Sequence, residues 1–377
     1  MPLKLHITEE SLNLFVLDLW KDLRHLDVVD LAGRKVIRRF ADNSTTIQEE
    51  LVVINRLQAK APFKIPEIQE HTSRYIAFRY IEGTRAFNLL MDLKTLYRKE
   101  KKALYRDLAL QLLDLLEDDL RSFQAVTMGD AVFTADRRSY PVSEKLSALY
   151  RILTSILPGT CDFMQITEDL DRIAALYIQN ATNPFRDATP KNVILEIPAL
   201  FQQRFSSYEE RLATLKEMCL SGTLNRYLEK EKIYQIDFSG CKFLCPQGDD
   251  WIALNAHESS AWLRSADRPP SPGEGLTGLC TKFVRFSRFG GRKLAYRLLN
   301  YEAYNVRFMH DNEATYFFEL ANICQYLRDH NIIRSSHLGD LMNHLFQMSS
   351  FKPARDYLQE ARPLDNRRAY YSDVYPN

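Results

Sequence analysis

What the sequence lacks narrows its reading first. No apolar run in the 377 residues reaches the roughly 18 needed to cross a bilayer, so an integral membrane protein is not expected. Charge of one sign is missing too. The chain carries 50 basic and 49 acidic residues, a formal net charge of +1, which gives no global field to gather nucleic acid or an anionic membrane. Cysteine is sparse. Cys161, Cys219, Cys241, Cys245, Cys280 and Cys324 are scattered along a long chain without a secretory leader, a pattern expected of reduced thiols in a cytoplasm rather than of a disulfide framework. Only Cys241 and Cys245 lie close together, and no other Cys or His joins them at metal-ligand spacing, which argues against zinc. His257, His310, His337 and His344 show no mutual ligand spacing either.

What remains is ordinary globular material, with 45% hydrophobic and 26% charged residues, in a chain long enough for two packed lobes. An amphipathic helix is expected over 8–26, from Leu12, Phe15, Val16, Leu19, Trp20 and Leu23. β-rich runs at 27–31 and 34–40 flank Ala32-Gly33, which predicts a hairpin. Thr45 or Thr46 can cap a helix carrying Leu51, Val52, Ile54 and Leu57, with Pro62 and Pro66 beyond its end. A further strand is expected over 74–83, ending at Glu82-Gly83. Beyond it the periodicity is helical: one long helix over 94–124, others at 143–157, 167–180, 207–231, 312–330, 335–348 and 353–361. A Pro/Gly/Ser-rich loop spans 266–278, and the tail 362–377 reads as irregular.

Two stretches stand out. The first is Asn183-Pro184-Phe185-Arg186-Asp187-Ala188-Thr189-Pro190-Lys191-Asn192-Val193-Ile194-Leu195. The second is Tyr234-Gln235-Ile236-Asp237-Phe238-Ser239-Gly240, whose Asp237 follows Asn192 by 45 positions. As plain chemistry, Asp-x-x-Pro is also a common turn and Asp237 could simply cap a strand. Taken together and in this order, Phe185–Asn192 resembles the His-Arg-Asp-x-x-Pro-x-Asn loop of the protein-kinase-like superfamily, and Asp237 its second metal-binding Asp. The order hairpin, helix, Ile65-Pro66-Glu67, strand, Glu82-Gly83 is similar to the small lobe and hinge of aminoglycoside phosphotransferases and choline kinases. The small-molecule branch fits better than the protein kinases because no Ala-Pro-Glu element follows Asp237.

That resemblance implies an α+β, bilobal fold: a small β-rich lobe with its leading helix and hinge over 1–83, and a larger, mostly helical lobe over 84–377. It implies an ATP- and Mg²⁺-dependent, cytoplasmic phosphotransferase acting on a hydroxyl of a small-molecule acceptor. Asp187 would be the catalytic carboxylate, and Asn192 and Asp237 the metal ligands. Arg38 would stand where relatives carry a Lys, with Lys35 or Arg39 as alternatives, and would pair with Glu50 or, second, Glu49. Adenine would lie against the hinge at Phe78, Tyr80 and Ile81. Residues 196–233 would be a helical insertion where relatives have a short hairpin, helping to shape the acceptor pocket.

Departures from the pattern keep competing readings in play. Gly33 is the sole glycine in residues 1–40, so no Gly-rich loop is present to cover a triphosphate, and Phe185 replaces the usual His. These features admit a pseudokinase-like binding or scaffold protein. The run Lys282-Phe283-Val284-Arg285-Phe286-Ser287-Arg288-Phe289-Gly290-Gly291-Arg292-Lys293 alternates cations with rings. It admits three readings: an amphipathic strand, a nucleic-acid surface or protein-linked substrate site disfavoured by the balanced charge, and cations that meet an anionic substrate.

Overall fold

A computed structural model describes residues 26–31, 33–40, 44–135, 137–155, 162–201, 204–257, 259–263, 275–291 and 313–348. The expected helices at 8–26 and 353–361, and with them Cys161, His310, Arg292 and Lys293, lie outside the described residues.

The N-terminal region is sheet-rich. Strands β1 (Leu26–Leu31) and β2 (Arg34–Phe40) form the expected antiparallel hairpin, with Leu31 opposite Arg34 across a two-residue turn. Gly33 takes a positive φ of 80° there, a conformation glycine adopts without the Cβ penalty, and its N–H donates to Asp30 Oδ1 at 2.6 Å. Helix α1 (Ser44–Lys60) follows, then β3 (Ile68–His71) and β4 (Tyr75–Arg79), completing an antiparallel sheet in the order β1-β2-β4-β3. Ile47, Leu51, Ile54 and Leu57 recur at helical spacing on α1 and bury against Ile76, Phe63, Phe123 and Phe238 in a hydrophobic cluster of their own. Val52, expected on that face, is exposed.

The remainder is mostly helical and holds the larger hydrophobic cluster. The expected long helix over 94–124 is instead two helices, α2 (Ala86–Glu100) and α3 (Ala103–Thr127), packed against each other. The break falls at Lys101, which adopts the left-handed conformation (φ 55°) while its N–H donates to Tyr97 O. A lysine there costs about 1–2 kcal/mol relative to right-handed backbone, so nothing in the sequence signals the stop. Helix α4 (Val142–Ser155) matches its expected span closely, and α5 (Phe163–Gln179) starts a turn earlier than expected, capped by Asp162.

Two short sheets position the motifs. In one, β6 (Ala181–Pro184) pairs antiparallel with β9 (Phe243–Pro246). In the other, β5 (Thr84–Arg85), β7 (Val193–Leu195) and β8 (Ile233–Gln235) pair antiparallel, with Val193 opposite Gln235. Gly83 is required just before β5, since a Cβ there would lie 1.8 Å from Leu195 O.

The expected helix 207–231 also shortens, to α6 (Tyr208–Leu220). It is capped by Ser207, whose side chain accepts from Glu210 N, and ends at Gly222 with φ 73°. Buried Arg211 ties α6 to α2 and β5, donating to Asp92 Oδ2 at 2.8 Å, Leu200 O at 2.7 Å and Thr84 Oγ1 at 2.8 Å. After β9 come α7 (Asp249–Asn255), α8 (Leu276–Phe286), a π-helical turn at Ser287–Gly291, α9 (Glu313–Asp329) and α10 (His337–Met348). Among the described residues no helix is long and apolar enough to cross a membrane.

Candidate active site

The pairing of β7 with β8 closes the 45-residue separation of the two motifs. With Val193 opposite Gln235, the residues just outside the pair meet, and Ile236 N donates to Asn192 O at 2.9 Å. On its other side, Asn192 Nδ2 donates to Asp187 O at 2.8 Å. Asn192 therefore staples the Asp187 loop to the strand end that carries Asp237. Asp187 and Asp237 both have positive φ, 57° and 62°, a conformation that Asp tolerates better than most residues and that concentrates at functional sites.

The Asp187 loop is gripped from below by residues that sequence reasoning missed. Asp250, fully inside the protein on the first turn of α7, accepts from Arg186 N at 3.3 Å and from Ala188 N at 3.2 Å, one bond on either side of Asp187. Burial and the adjacent Asp249 carboxylate push Asp250 up to about 6. Asp249 binds Arg285 of α8 through the guanidinium Nε and Nη2, and Arg285 Nη1 reaches Asp187 Oδ1. Only 1% of the Arg285 side chain is exposed. Burial works against its charge, yet Asp249 and Asp187 more than offset this and raise it well above the ordinary guanidinium range. Arg186 is buried as well. Its guanidinium lies over the rings of Phe63, Phe123 and Phe238, where burial lowers its pKa.

Phe185, in the place of the usual His, stacks on Tyr140 with ring centroids 4.4 Å apart. It also explains Gly240: a Cβ there would sit 2.8 Å from both Phe185 Cδ1 and Phe185 O. The loop before Asp187 and the turn after Asp237 thus pack backbone against ring.

On the sheet side, the expected pair of Arg38 with Glu50 is not formed. Arg39 makes the ion pair with Glu50 and also approaches Asp237 Oδ1 at 3.3 Å. The reason is strand parity. Arg39 lies opposite Ile76, which faces the α1 cluster holding Glu50, whereas Arg38 lies opposite Ala77 and faces away, with its guanidinium 4.8 Å from the Tyr75 ring centre. A one-residue slip in reading the register exchanges the two faces. Burial raises the pKa of Glu50, with Arg39 acting in the opposite direction.

At the expected hinge, Phe78 lies in β4 and packs on the α1 cluster, and Ile81 is buried. Tyr80 donates its N–H to Lys35 O, and its ring meets that of Phe201 edge-on.

The run from Lys282 is not a strand. It is α8 continuing into the π-helical turn, with Phe283 and Phe286 in the core, where they cannot stack on bases, and with Arg285 spent on Asp249 and Asp187. Arg288 comes within 3.9 Å of Asp187 Oδ1. The signal that could have found the Asp249-Asp250 grip is slight, because two acids in the first turn of a helix are what the helix dipole alone favours.

No protein-family model matches the chain, and no curated protein matches it. Among solved structures it is similar to a macrolide 2'-phosphotransferase type I, at 12% identity and a TM-score of 0.29, over 91% of this chain and 98% of that one. It is similar also to an ethanolamine kinase of Plasmodium vivax, at 12% identity and a TM-score of 0.29, over 95% of this chain and 93% of that one. Likeness at that level leaves the functional reading to the chain's own residues.

Proposed function

We propose that the chain is an ATP- and Mg²⁺-dependent phosphotransferase of bilobal kinase-like form, acting on a hydroxyl of a small molecule. The observation that carries this reading is the Asn192 staple, which gathers Asp187, Asn192 and Asp237 from motifs far apart in sequence. Two carboxylates and a carboxamide on backbone segments tied together in this way would supply what phosphoryl transfer needs: a group to orient the attacking hydroxyl, and oxygen ligands for a metal.

The donor set fits Mg²⁺. With its Nδ2 engaged by Asp187 O, Asn192 has its amide oxygen to offer, and Asp237 presents a carboxylate with 45% of its side chain exposed. Hard oxygen donors of this kind suit that ion. Asn192 and Asp237 would hold Mg²⁺, which would supply positive charge against that developing on the transferred phosphate. Asp187, held at its backbone by Asp250 and Asn192, would accept the hydrogen bond of the acceptor hydroxyl and fix its line of attack. Arg39, oriented by Glu50, would take the phosphate-facing role first expected of Arg38. Adenine would lie along Phe78, Tyr80 and Ile81.

A second reading, a pseudokinase-like binding protein, is favoured by the ion pair that already holds Asp187 and by the two-residue β1–β2 turn, too short to cover a triphosphate. A thermal shift with Mg-ATP separates the two, since a ligand that binds only the folded state raises the midpoint. The phosphotransferase reading expects a shift at millimolar Mg-ATP that weakens in Asp237→Ala. No shift in the wild-type chain would favour the binding protein.

A further inference from the structure

We propose that Arg288 is a specificity-determining residue that binds an acidic group, a carboxylate or phosphate, on the acceptor alcohol that meets Asp187. This rests on the phosphotransferase reading. Arg288 Nη1 lies 3.9 Å from Asp187 Oδ1, too far to hydrogen-bond, and only 17% of the Arg288 side chain is exposed. Its guanidinium sits 5.1 Å from the ring centre of Tyr140 and 5.9 Å from that of Phe185. It donates no hydrogen bond to any described residue. Most guanidiniums this deeply enclosed spend their N–H groups on acceptors, as Arg285 and Arg211 do here.

The position is held rather than loose. Arg288 lies in the π-helical turn Ser287–Gly291, a rare widened turn frequent at functional sites. Ser287 Oγ is hydrogen-bonded to the buried Tyr150 hydroxyl at 2.7 Å. Gly290 and Gly291 press so closely on Tyr316 and Leu149 that added Cβ atoms would come within 2.7 and 2.9 Å of them. Two aromatic rings and a packed turn therefore aim a planar five-donor fork at the candidate base.

The direction of the fork selects the acceptor over the nucleotide. The strand end at Asp237 already has its own cation in Arg39, whereas Arg288 stands beside the carboxylate that would orient the attacking hydroxyl. A fork of N–H groups there matches the paired oxygens of a carboxylate or phosphate, and would repel an ammonium group. Arg285 cannot serve, being occupied on both edges by Asp249 and Asp187.

The test uses the full chain and alcohols of three charge classes: sugar phosphates and hydroxycarboxylates, neutral polyols, and aminoalcohols. Calorimetry on the wild type is expected to show binding confined to the acidic class. Arg288→Gln is expected to weaken it by about tenfold to a hundredfold, and Arg288→Lys, which keeps charge without the fork, by less. Unfolding midpoints of both variants exclude a folding defect. Equal binding of neutral polyols or aminoalcohols, or unchanged affinity in Arg288→Gln, overturns the assignment. So does an Arg288→Gln effect confined to kcat and equal for all acceptor classes, which would make the residue a stabiliser of the transferred group. Mg-ATP binding is read separately on the same samples. Its absence would contradict the phosphotransferase reading, while the acceptor panel alone decides the role of Arg288.

Discussion

An arginine and its carboxylates flank the candidate site on each side, and the two clusters are built differently. On the sheet side, Arg39 joins Glu50 to Asp237, with 22% of the arginine and 45% of the aspartate side chain open to solvent. On the helical side, Arg285 joins Asp249 to Asp187 with 1% and 0% exposure for the buried pair. In the first cluster Glu50 is buried, with 4% of its side chain exposed, but Arg39 and Asp237 are partly in water, so the attraction between those two is screened and modest. In the second, Arg285 and Asp249 have lost their hydration and depend on each other while Asp187 keeps 31% of its side chain exposed, so breaking the buried pair leaves an uncompensated ion in the interior. The loop of the candidate base Asp187 thus rests on a buried ion pair, whereas the candidate metal- and phosphate-facing Asp237 and Arg39 stand partly in water. That division suits a site in which the acceptor is positioned firmly and the nucleotide enters and leaves.

The largest effect that would break this contrast is expected from Arg285→Ala, which strands Asp249 beside Asp250. It should destabilise the chain by about 3–5 kcal/mol in denaturant unfolding, and a loss within experimental scatter of wild type would remove the claim of a buried, interdependent cluster. Next comes Gly240→Ala. Its Cβ would meet Phe185 at 2.8 Å, so overpacking should cost about 1–3 kcal/mol, with a further loss of turnover because the Asp187 loop is displaced. Turnover and stability that both match wild type would show that Phe185 gives way freely.

The Asp250 carboxyl sharpens the comparison through pH. Its folded-state pKa is raised from the ordinary 3.8 to about 6. The folded chain therefore holds this proton more tightly than the unfolded one, and the stability it contributes is present below 3.8, falls as pH rises toward 6, and is flat beyond. The wild-type unfolding midpoint should carry that slope and Asp250→Asn should lack it; parallel profiles would contradict the assignment. A smaller effect than that of Arg285→Ala is expected from Arg39→Ala, because the arginine is partly solvated and of its two partners only Glu50 is left buried. Its signature should be weaker Mg-ATP binding by calorimetry, not a large shift in unfolding.

The legibility of the site follows the same divide. The hairpin, α1 and the Asp187 and Asp237 motifs were readable because their signals are local: Gly33 in a tight turn, apolar spacing on α1, and an Asp-x-x-Pro-x-Asn run leading into β-branched residues. The choice among Arg38, Lys35 and Arg39 stays open in the sequence, since a strand's two faces alternate and only the pairing with Ile76 reveals which arginine looks toward Glu50. The break at Lys101 was invisible because packing of α2 on α3, and no glycine, imposes it. The bounds of α6, by contrast, are marked locally, by Ser207 and Glu210 at its start and Gly222 just past its end. The alternation of Arg285 with rings admits an amphipathic strand, a nucleic-acid surface or an anion-binding site, whereas the helix actually formed puts it among Phe283 and Phe286 in the core. Asp249 and Asp250 could not be paired with it, because contacts over tens of residues leave no local pattern.

The central claim is that Asp187, gathered with Asn192 and Asp237, orients an acceptor hydroxyl for phosphate transfer. Its most direct test follows phosphate from labelled Mg-ATP across an acceptor panel with the wild-type and Asp187→Asn chains, measuring Mg-ATP affinity in both. The expected result is transfer by the wild type, a loss of about a hundredfold or more in the variant, and little change in Mg-ATP affinity. Turnover in Asp187→Asn equal to wild type would contradict the account.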